Sequence, residues 1–535
     1  MPTKLLLGDE AVAQGAIDAG LSGAYAYPGT PSTEITEYVE RSPEARAGPI
    51  HCFWSANEKT AVEEALGMSY AGKRAMASMK HVGLNVAADP FINAAITGTG
   101  GGLIVNVADD PSMHSSQNEQ DSRLYTEIAL VPCLEPSNQQ EAYDMAAYAF
   151  DLSERHRVPV LLRLVTRLAH SRAPVTLAAR REQNRARLPE DPERFIILPP
   201  TARRQYASLV ARQEEFLQES ERSPFNRLVE GPDATLGIVA SGIGFNYVME
   251  AFHGDVPHPL LKIGQYPLPR SAVRRLLERC ERILVVEEGY PYIEAKLRGF
   301  GERAAPQILG RMSGALPRTG ELEPAAVARA LGKEARSAVP ASSVPVPRPP
   351  SLCPGCPHAD TFRALTEALS VFPKTARVFS DIGCYTLGAY PPFSAIDTCV
   401  EMGASITMAK GAADAGIGPV VAVIGDSTFV HSGMTGLLDG VVGRSPVTVI
   451  ILDNLAVAMT GGQRSSATGR LEAISMGLGV EPAHVREIVP LPKDHERNVA
   501  VLREEIAYAG PSVVIARREC LETARRRGHA RKEKA

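Results

Sequence analysis

Apolar and polar positions follow two patterns that alternate along the chain. Stretches with apolar residues at helical spacing predict helices, for example over 9–19 and 58–70. The first third of the chain also holds a helix after Asn85 and short apolar runs that predict strands, at 23–27, 74–79, 103–107 and 158–164. Helices alternating with buried strands are typical of an α/β fold whose parallel sheet is covered on both faces.

Two changes in composition divide this pattern. Arg, Gln and Glu dominate from about 180 to 230, which suits a helical connection, and a second α/β unit follows with strands over 236–240 and 283–286. A proline-rich stretch then interrupts the pattern, because Pro neither donates to a sheet nor continues a helix. We therefore predict three α/β domains over 1–178, 231–335 and 351–535, with a charged helical linker over 179–230 and a proline-rich linker over 336–350.

Composition narrows the class of function. The 57 Lys and Arg residues against 61 Asp and Glu give a net charge of -4, which argues against nucleic acid as a partner. No apolar run reaches the roughly 18 residues of a membrane span, and the first seven residues lack the apolar core of a secretory signal. We expect a cytoplasmic protein that acts on small molecules and has no membrane partner.

Polar residues follow two apolar runs in the last third of the chain. The run 420–424 ends at Gly425 and Asp426, the run 447–452 ends before Asn454, and a crossover helix is predicted over 431–442. If the runs are neighbouring parallel strands, both oxygen-bearing side chains lie at the edge where α/β sheets bind ligands. Mg²⁺ keeps few protein ligands and takes others from phosphates, so the pair suits a diphosphate cofactor. An ordinary turn is the alternative.

The eight cysteines form two groups. Four of them lie singly in apolar or helical surroundings and are predicted to be buried thiols: Cys52, Cys133, Cys280 and Cys399. The other four could bind zinc or an iron-sulfur cluster, and one close pair with two distant single cysteines is more typical of a cluster. These are the pair Cys353 and Cys356, Cys384 in a Gly-rich turn, and Cys520 near the end of the chain.

Several ordered motifs extend these observations over nearly the whole chain. They carry a resemblance to the large, thiamine-binding subunits of the indolepyruvate ferredoxin oxidoreductases, within the 2-oxoacid:ferredoxin oxidoreductase superfamily. The motifs are YPGTPS at 27–32, MKHVGLN at 79–85, DDPSMHSSQNEQD at 109–121, VVEE at 285–288, CPGCPH at 353–358, DIGCYTLG at 381–388, MGASI at 402–406 and MTG at 459–461.

The resemblance implies a fold and a reaction. The three α/β domains would be a pyrimidine-binding domain, a transketolase C-terminal-like domain and a diphosphate-binding domain, all of the thiamine diphosphate-binding type. The reaction would be oxidative decarboxylation of an aryl or branched 2-oxoacid with coenzyme A, giving an acyl-CoA, CO₂ and reduced ferredoxin. Thiamine diphosphate, Mg²⁺ and one 4Fe-4S cluster would be the bound cofactors, and Cys353, Cys356, Cys384 and Cys520 would ligate the cluster.

Further residues take roles by their match to the family motifs. Mg²⁺ would be held by Asp426, Asn454 and the carbonyl of Ala456. Glu58 would face the pyrimidine ring of the cofactor, although a helix-start carboxylate is its plain alternative. The remaining cofactor-binding positions are Asp381, Gly383, Gly403, Ser405, Gly425, Ser427, Thr428 and Met459.

Three residues are expected near the reacting atoms. Thr30 matches a family position that approaches the substrate. His81 and His358 are predicted in turns, His81 to move a proton and His358 to hold the substrate carboxylate. Structural hydrogen bonding is the alternative for both histidines.

The chain departs from the family at several points. Ser427 and Gly462 stand where Gly and His are common, and the usual ferredoxin-like segment with further CxxCxxC runs does not follow. We expect electrons to leave through a separate ferredoxin or another acceptor. The resemblance also implies a smaller partner subunit and a dimer of the large subunit within a hetero-oligomer. Two other functions stay open: a non-oxidative thiamine-dependent decarboxylase and a catalytically silent assembly subunit.

Overall fold

The computed structural model describes residues 2–299, 306–335, 344 and 351–532. They form two compact units, residues 1–340 and residues 341–535. The proline-rich linker predicted over 336–350 lies outside the described residues, apart from Val344. Among the described helices, none combines the length and apolar character needed to cross a bilayer.

The first unit contains a seven-stranded sheet, a five-stranded sheet and a two-stranded pairing. The orders are β12-β6-β7-β5-β4-β2-β3, β14-β13-β10-β11-β9 and β1-β8. The two larger sheets are parallel except at β12 and β9, and β1 pairs antiparallel with β8. The strands are β1 Thr3–Leu7, β2 Gly23–Ala26, β3 His51–Trp54, β4 Ala75–Lys80, β5 Leu103–Asp109, β6 Cys133–Leu134, β7 Val160–Val165, β8 Arg172–Thr176, β9 Arg227–Val229, β10 Gly237–Ser241, β11 Leu260–Ile263, β12 Gln265–Tyr266, β13 Arg282–Val286 and β14 Gln307–Leu309.

Helices cover these sheets and complete the predicted α/β alternation. Buried apolar residues lie on both faces of the seven-stranded sheet, with Val12 and Phe150 in one core and Val62 and Phe91 in another. The charged segment 179–230, predicted as a helical linker, contains α9 and α10 and ends in β9, whereas residues 179–189 have no regular secondary structure. The helices are α1 Gly8–Asp18, α2 Thr33–Arg41, α3 Pro43–Arg46, α4 Glu58–Tyr70, α5 His81–Thr97, α6 Arg123–Ala129, α7 Gln139–His156, α8 Thr166–Ala169, α9 Pro199–Ala211, α10 Gln213–Glu221, α11 Ile243–Ala251, α12 Arg270–Arg279, α13 Tyr292–Arg298 and α14 Pro324–Ala330.

The second unit is built on a six-stranded parallel sheet of order β16-β15-β17-β18-β22-β21. Its central strands are buried along their whole length, as their continuous Val and Ile runs require. The strands are β15 Arg377–Ser380, β16 Thr398–Cys399, β17 Val420–Gly425, β18 Val447–Asp453, β19 Ala456–Val457, β20 Gln463–Arg464, β21 Val485–Ile488 and β22 Ser512–Arg517, and the helices are α15 Pro357–Leu369, α16 Ala404–Asp414, α17 Asp426–Thr428, α18 Met434–Val442, α19 Leu471–Gly477, α20 His495–Ala507 and α21 Leu521–Lys532.

Three local predictions were wrong. The helix expected after Asn85 begins at His81, and His358 lies in the first turn of α15, so neither histidine is in a turn. The crossover to β18 includes a π-helical segment, Phe429–Gly433, before α18. Of the four thiols predicted to be buried, Cys52 is only partly buried and Cys399 is exposed. Cys399 ends the two-residue edge strand β16, which has a neighbour on one side only.

Candidate active site

In the first unit, the predicted site residues follow adjacent strands at their carboxyl ends. Strands β5, β4, β2 and β3 are neighbours in the sheet. Thr30 follows β2, Glu58 follows β3 and His81 follows β4. The order of the strands therefore collects residues that are up to 51 positions apart in the sequence (81 minus 30).

Glu58 opens helix α4 and is buried, with 4% of its surface exposed. The side chain of Asn57 caps the helix, accepting a hydrogen bond from the backbone N–H of Thr60 at 2.9 Å. Gly83 faces the carboxylate, and a Cβ at that position would lie 2.6 Å from Glu58 Oε1. The space for this buried carboxylate thus depends on glycine in the first turn of α5.

His81 and Lys80 lie at the start of α5. His81 is buried, its Nε2 lies 3.0 Å from the carbonyl oxygen of Asn118, and its Nδ1 has no hydrogen-bond partner among the described residues. Burial lowers the pKa of Lys80 to about 8, opposed by the charges of Asp110 and Glu58. Lys80 therefore adds a titratable amine to the residues at these strand ends. The sequence pattern did not single it out.

The polar loop after β5 reaches Thr30 through Ser115. Asp110 Oδ2 accepts hydrogen bonds from the backbone N–H of Ser115 at 2.8 Å and from the hydroxyl of Ser116 at 2.7 Å. The Ser115 hydroxyl donates to the carbonyl oxygen of Thr30 at 3.1 Å, and Lys80 Nζ donates to the carbonyl oxygen of Ser115 at 3.0 Å. The loop is thus tied to two of the neighbouring strand ends.

Buried charges hold both ends of this loop. Arg163 on β7 is fully buried and contacts Asp109 Oδ2 through its Nε at 2.6 Å. Arg163 also pairs with Glu135, and Arg123 pairs with Asp121 at 2.5 Å. Each of these side chains is at most 3% exposed, so the pairs have little contact with water.

In the second unit, carboxylates follow the ends of neighbouring strands β17 and β18. Asp426 is buried, and its Oδ2 has no hydrogen-bond partner among the described residues. Burial and, after it, the charge of Asp453 raise the pKa of Asp426 to about 7, while a hydrogen bond with Ser465 opposes the rise. A buried carboxylate oxygen without a partner fits a cation ligand.

Asn454 lies beside His358. Asn454 Oδ1 accepts a hydrogen bond from the backbone N–H of Ala456 at 3.1 Å, and its Nδ2 lies 3.3 Å from His358 Nε2. Burial lowers the pKa of His358 to about 4, so the imidazole is neutral and can accept this bond. Leu455 has φ 64°, which turns the chain between the two predicted metal ligands Asn454 and Ala456.

Asp381, after β15, is bound to the start of helix α16. Its Oδ2 accepts from the hydroxyl of Ser405 at 2.6 Å and from the backbone N–H of Gly403 at 3.2 Å, and its Oδ1 accepts from Tyr385. Burial raises the pKa of Asp381 to about 6, against the lowering effect of these donors. In this structure the predicted cofactor-binding residues Asp381, Gly403 and Ser405 therefore contact one another.

Tyr385, which the sequence analysis did not select, explains two of the predicted glycines. A Cβ at Gly383 would lie 2.2 Å from the Tyr385 ring, and one at Gly425 would lie 2.7 Å from it. Of the other predicted residues, Ser427 and Thr428 are buried in α17, whereas Met459 is 59% exposed.

The four selected cysteines are neighbours in the second unit. The pKa of the Cys384 thiol is raised to about 12, first by burial and then by the nearby sulfurs of Cys356, Cys520 and Cys353. Close to the pair, a Cβ at Gly355 would lie 3.3 Å from the side chain of Leu521, which follows Cys520. The backbone N–H of Cys520 donates to the carbonyl oxygen of Asn454 at 3.1 Å. The Sγ of exposed Cys399 lies 3.7 Å from the carbonyl oxygen of Asp381, three residues before Cys384.

Comparisons with known proteins match one region of the chain in each of the two units. Residues 14–218 match the family described as pyruvate flavodoxin/ferredoxin oxidoreductase, thiamine diphosphate-binding, and residues 381–515 match the C-terminal thiamine pyrophosphate-binding domain of thiamine pyrophosphate enzymes. Indolepyruvate oxidoreductase subunit IorA of Archaeoglobus fulgidus is 39% identical over 96% of this chain and 86% of its own length. The chain belongs to the family of large subunits of the 2-oxoacid:ferredoxin oxidoreductases.

A second curated relative supports the same family, and one solved structure aligns with part of the chain. The IorA subunit of Pyrococcus abyssi is 38% identical over 96% of this chain and 85% of its own length. A solved 2-oxoglutarate:ferredoxin oxidoreductase from Magnetococcus marinus aligns over 58% of this chain and 62% of its own, with 18% identity and a TM-score of 0.47. Family membership confirms the predicted fold class, the thiamine diphosphate-binding domains and the type of enzyme, one that is assembled from more than one kind of subunit.

Proposed function

We propose that this 2-oxoacid:ferredoxin oxidoreductase subunit catalyses oxidative decarboxylation of an aryl or branched 2-oxoacid, resembling indolepyruvate, with coenzyme A. The products would be an acyl-CoA, CO₂ and reduced ferredoxin. The relatives that match almost the whole chain carry the name indolepyruvate oxidoreductase, which supports the aryl substrate.

The observation that carries the proposal is the hydrogen bond between Cys520 and Asn454. The backbone N–H of Cys520, a proposed cluster ligand, lies 3.1 Å from the carbonyl oxygen of Asn454, a proposed ligand of the cofactor metal. A non-oxidative decarboxylase has no use for an electron acceptor beside its cofactor. The four cysteines next to the cofactor-metal residues therefore favour an oxidative reaction.

The spacing of the four cysteines favours an iron-sulfur cluster over zinc. Thiolates on one tetrahedral zinc, each about 2.3 Å from the ion, would lie about 3.8 Å apart. Within the described residues, no three of these cysteine sulfurs lie within 4.8 Å of one another. Ligands that bind different irons of a 4Fe-4S cluster are spread further apart, which supports Cys353, Cys356, Cys384 and Cys520 as its ligands.

Residues of the second unit would bind the diphosphate end of the cofactor. Asp426, Asn454 and the carbonyl of Ala456 would hold Mg²⁺, with the unpartnered Asp426 Oδ2 turned to the ion. His358 would fix the amide orientation of Asn454 through its 3.3 Å contact and would lie close to the substrate. The groups around the diphosphate would be Asp381, Gly383, Gly403, Ser405, Gly425, Ser427, Thr428 and Met459.

Residues of the first unit would activate the pyrimidine end. When bound, thiamine diphosphate supplies the nucleophilic carbon for decarboxylation and passes the released electrons on. Glu58 would hold a proton at the pyrimidine nitrogen that it faces, and its burial would keep water from that bond. His81 would move a proton through its unpartnered Nδ1, while Thr30 would contact the substrate.

Apolar residues after the metal ligands support a large apolar substrate. The segment 456–459 reads Ala-Val-Ala-Met, and Met459 at its end is exposed. Each buried methylene of a substrate contributes about 0.8 kcal/mol to binding. An aryl or branched side chain would therefore be preferred to the methyl group of pyruvate.

Electrons would leave the cluster to a partner. We propose a separate ferredoxin as acceptor, a smaller family subunit that completes the enzyme, and a dimer of the large subunit within the hetero-oligomer. Family membership supports the partner subunits, whereas the electron acceptor and the stoichiometry are part of the proposal.

The test is anaerobic turnover of the complete enzyme with indolepyruvate, phenylpyruvate and pyruvate, following viologen reduction, CO₂ and acyl-CoA together. We expect all three signals in equal amounts per electron pair, and a kcat/KM at least about tenfold higher for the aryl substrates. Release of CO₂ and an aldehyde without viologen reduction would instead identify a non-oxidative decarboxylase. Absence of turnover with bound cofactor would identify an assembly subunit.

A further inference from the structure

Three side chains that play no part in the proposed reaction meet in the first unit. Asp9 lies in the first turn of α1, Glu34 in the first turn of α2, and His170 directly after α8. One ligand atom from each lies within 4.8 Å of the other two. Two carboxylates and an imidazole from three separate helical segments thus converge on one point.

Asp9 has no partner there that would explain its burial. It is 0% exposed, and neither Oδ1 nor Oδ2 has a hydrogen-bond partner among the described residues. Burial, with the charges of Glu34 and Glu10, raises the pKa of this carboxyl. Buried carboxylates are normally hydrogen-bonded, paired with a cation or bound to a metal, so both oxygens of Asp9 lack an expected partner.

The local fold holds the three residues together. Gly8 packs against the end of α8, and a Cβ there would lie 2.3 Å from the carbonyl oxygen of Leu168. This close approach brings the start of α1 next to His170. Glu34 Oε2 lies 3.5 Å from His170 Nε2, and His170 is 35% exposed, which leaves a path from solvent.

We propose that Asp9, Glu34 and His170 bind one divalent transition metal ion of the zinc class. Zinc accepts carboxylate oxygens and imidazole nitrogens at about 2.0–2.2 Å and completes its shell with water at three-ligand sites. Mg²⁺ and Ca²⁺ prefer sites made of oxygen ligands alone, so the imidazole favours a transition metal. The ion would fix the start of α2, which follows the loop that contains Thr30, to α1 and α8.

The experiment measures zinc on the full chain, purified anaerobically with its iron retained and dialysed against Zn²⁺. We expect wild type to hold one more zinc per chain than Asp9→Asn and His170→Ala, at unchanged iron. Glu37→Gln is the matched control, since Glu37 is one turn along α2 and pairs with Arg41. It should hold as much zinc as wild type.

Two outcomes would overturn the proposal. In one, wild type takes up no zinc and Asp9→Asn unfolds at a higher temperature, which would make Asp9 a protonated buried carboxyl. In the other, the variants and wild type hold equal zinc. If Asp9→Asn does not fold, the zinc content of His170→Ala decides between these outcomes. His170 is partly exposed, so its replacement should disturb the fold less than replacement of the fully buried Asp9. Zinc on the cysteines would appear equally in every variant, so failure of the cluster proposal leaves this comparison intact.

Discussion

At the scale of single residues, the buried carboxylate of Asp426 gives the clearest support for a proposed role. It follows a strand that is buried along its whole length, and one of its oxygens has no hydrogen-bond partner among the described residues. Burial and Asp453 raise its pKa to about 7, so the ionised carboxylate carries an electrostatic cost at this position. A bound cation would remove that cost, which is why we assign Asp426 to the metal.

Replacing Asp426 by Ala should weaken binding of thiamine diphosphate with Mg²⁺ by at least about 100-fold. The diphosphate charge would lose the metal that compensates it in a site with little water. Titration calorimetry measures this. Asp414→Ala, at an exposed carboxylate paired with Lys410, should bind as wild type does. Unchanged affinity in Asp426→Ala would show an ordinary turn.

Replacing Glu58 by Gln should leave the cofactor bound and slow exchange of its thiazolium C2 proton by about 10²- to 10⁴-fold, the usual range for acid-base groups. The amide cannot hold the proton at the pyrimidine nitrogen as the carboxylate does. Exchange is followed by NMR after quenching. Glu63→Gln, on the exposed side of the same helix, is the control. Equal exchange rates would remove Glu58 from the mechanism.

The sequence was sufficient to predict site residues that directly follow clearly apolar strands. It was insufficient for residues whose importance comes from their burial in the folded protein. Asp426 and Asn454 come directly after Val and Ile runs that can only be buried strands. Burial lowers the pKa of Lys80, against the raising effect of two nearby carboxylates, and the order of residues in the sequence does not reveal that burial. The importance of Tyr385 likewise emerges only from the folded structure, in which Gly383 and Gly425 border its ring.

At the scale of elements, buried ion pairs fix the loop between β5 and α6. Arg163 on β7 contacts Asp109 at the end of β5, and its Nη2 donates to the carbonyl oxygen of Glu288 at 3.0 Å. One guanidinium therefore joins the seven-stranded sheet to the end of β13 in the second sheet of the same unit. The position of the polar loop depends on these pairs.

Arg163→Ala should destabilise the first unit by about 3–5 kcal/mol, because Asp109 would be left buried without its ion-pair partner and Glu135 would keep only Arg123 among the described residues, at 3.8 Å. Thermal unfolding followed by circular dichroism should show a transition several degrees lower. Arg41→Ala, at an exposed pair with Glu37, should cost about 1 kcal/mol or less. A similar small loss in both variants would mean that water reaches the Arg163 pairs.

Glu288 should make stability depend on pH. Burial raises its pKa from 4.5 to about 7, partly offset by Arg311. A carboxyl with a raised folded pKa adds stability below its unfolded pKa and loses it as pH rises through the folded value. The unfolding temperature of Glu288→Gln minus that of wild type should therefore be more positive at pH 8 than at pH 5. A difference that is constant with pH would contradict this.

Helices and strands were predictable where the spacing of apolar residues and the length of the segment indicate the same type of element. Helix α4 begins and ends where predicted, at Glu58 and Tyr70, because its capping residue and apolar spacing are local features. Helix α5 begins earlier than predicted, since Gly83 weakens the local signal while serving to make room for Glu58. The π-helical segment Phe429–Gly433 also had no local signal.

At the scale of the whole molecule, the α/β class and the two thiamine-binding regions were predictable, because ordered motifs cover nearly the whole chain. The approach of Cys520 to Cys384, 136 residues earlier (520 minus 384), required β22 to join the sheet beside β18. That pairing delivers Cys520 to the other cysteines and to Asn454. The central claim, an electron-transfer cluster beside the cofactor metal, rests on this topology.

Iron content of the anaerobically purified protein tests that claim most directly, measured in wild type, Cys520→Ser and Cys280→Ser. Cys280 is buried in the first unit and serves as the control. We expect about four irons per chain in wild type and Cys280→Ser, and loss of most iron together with acceptor reduction in Cys520→Ser. Wild type without iron, or Cys520→Ser that keeps about four irons, would contradict the account.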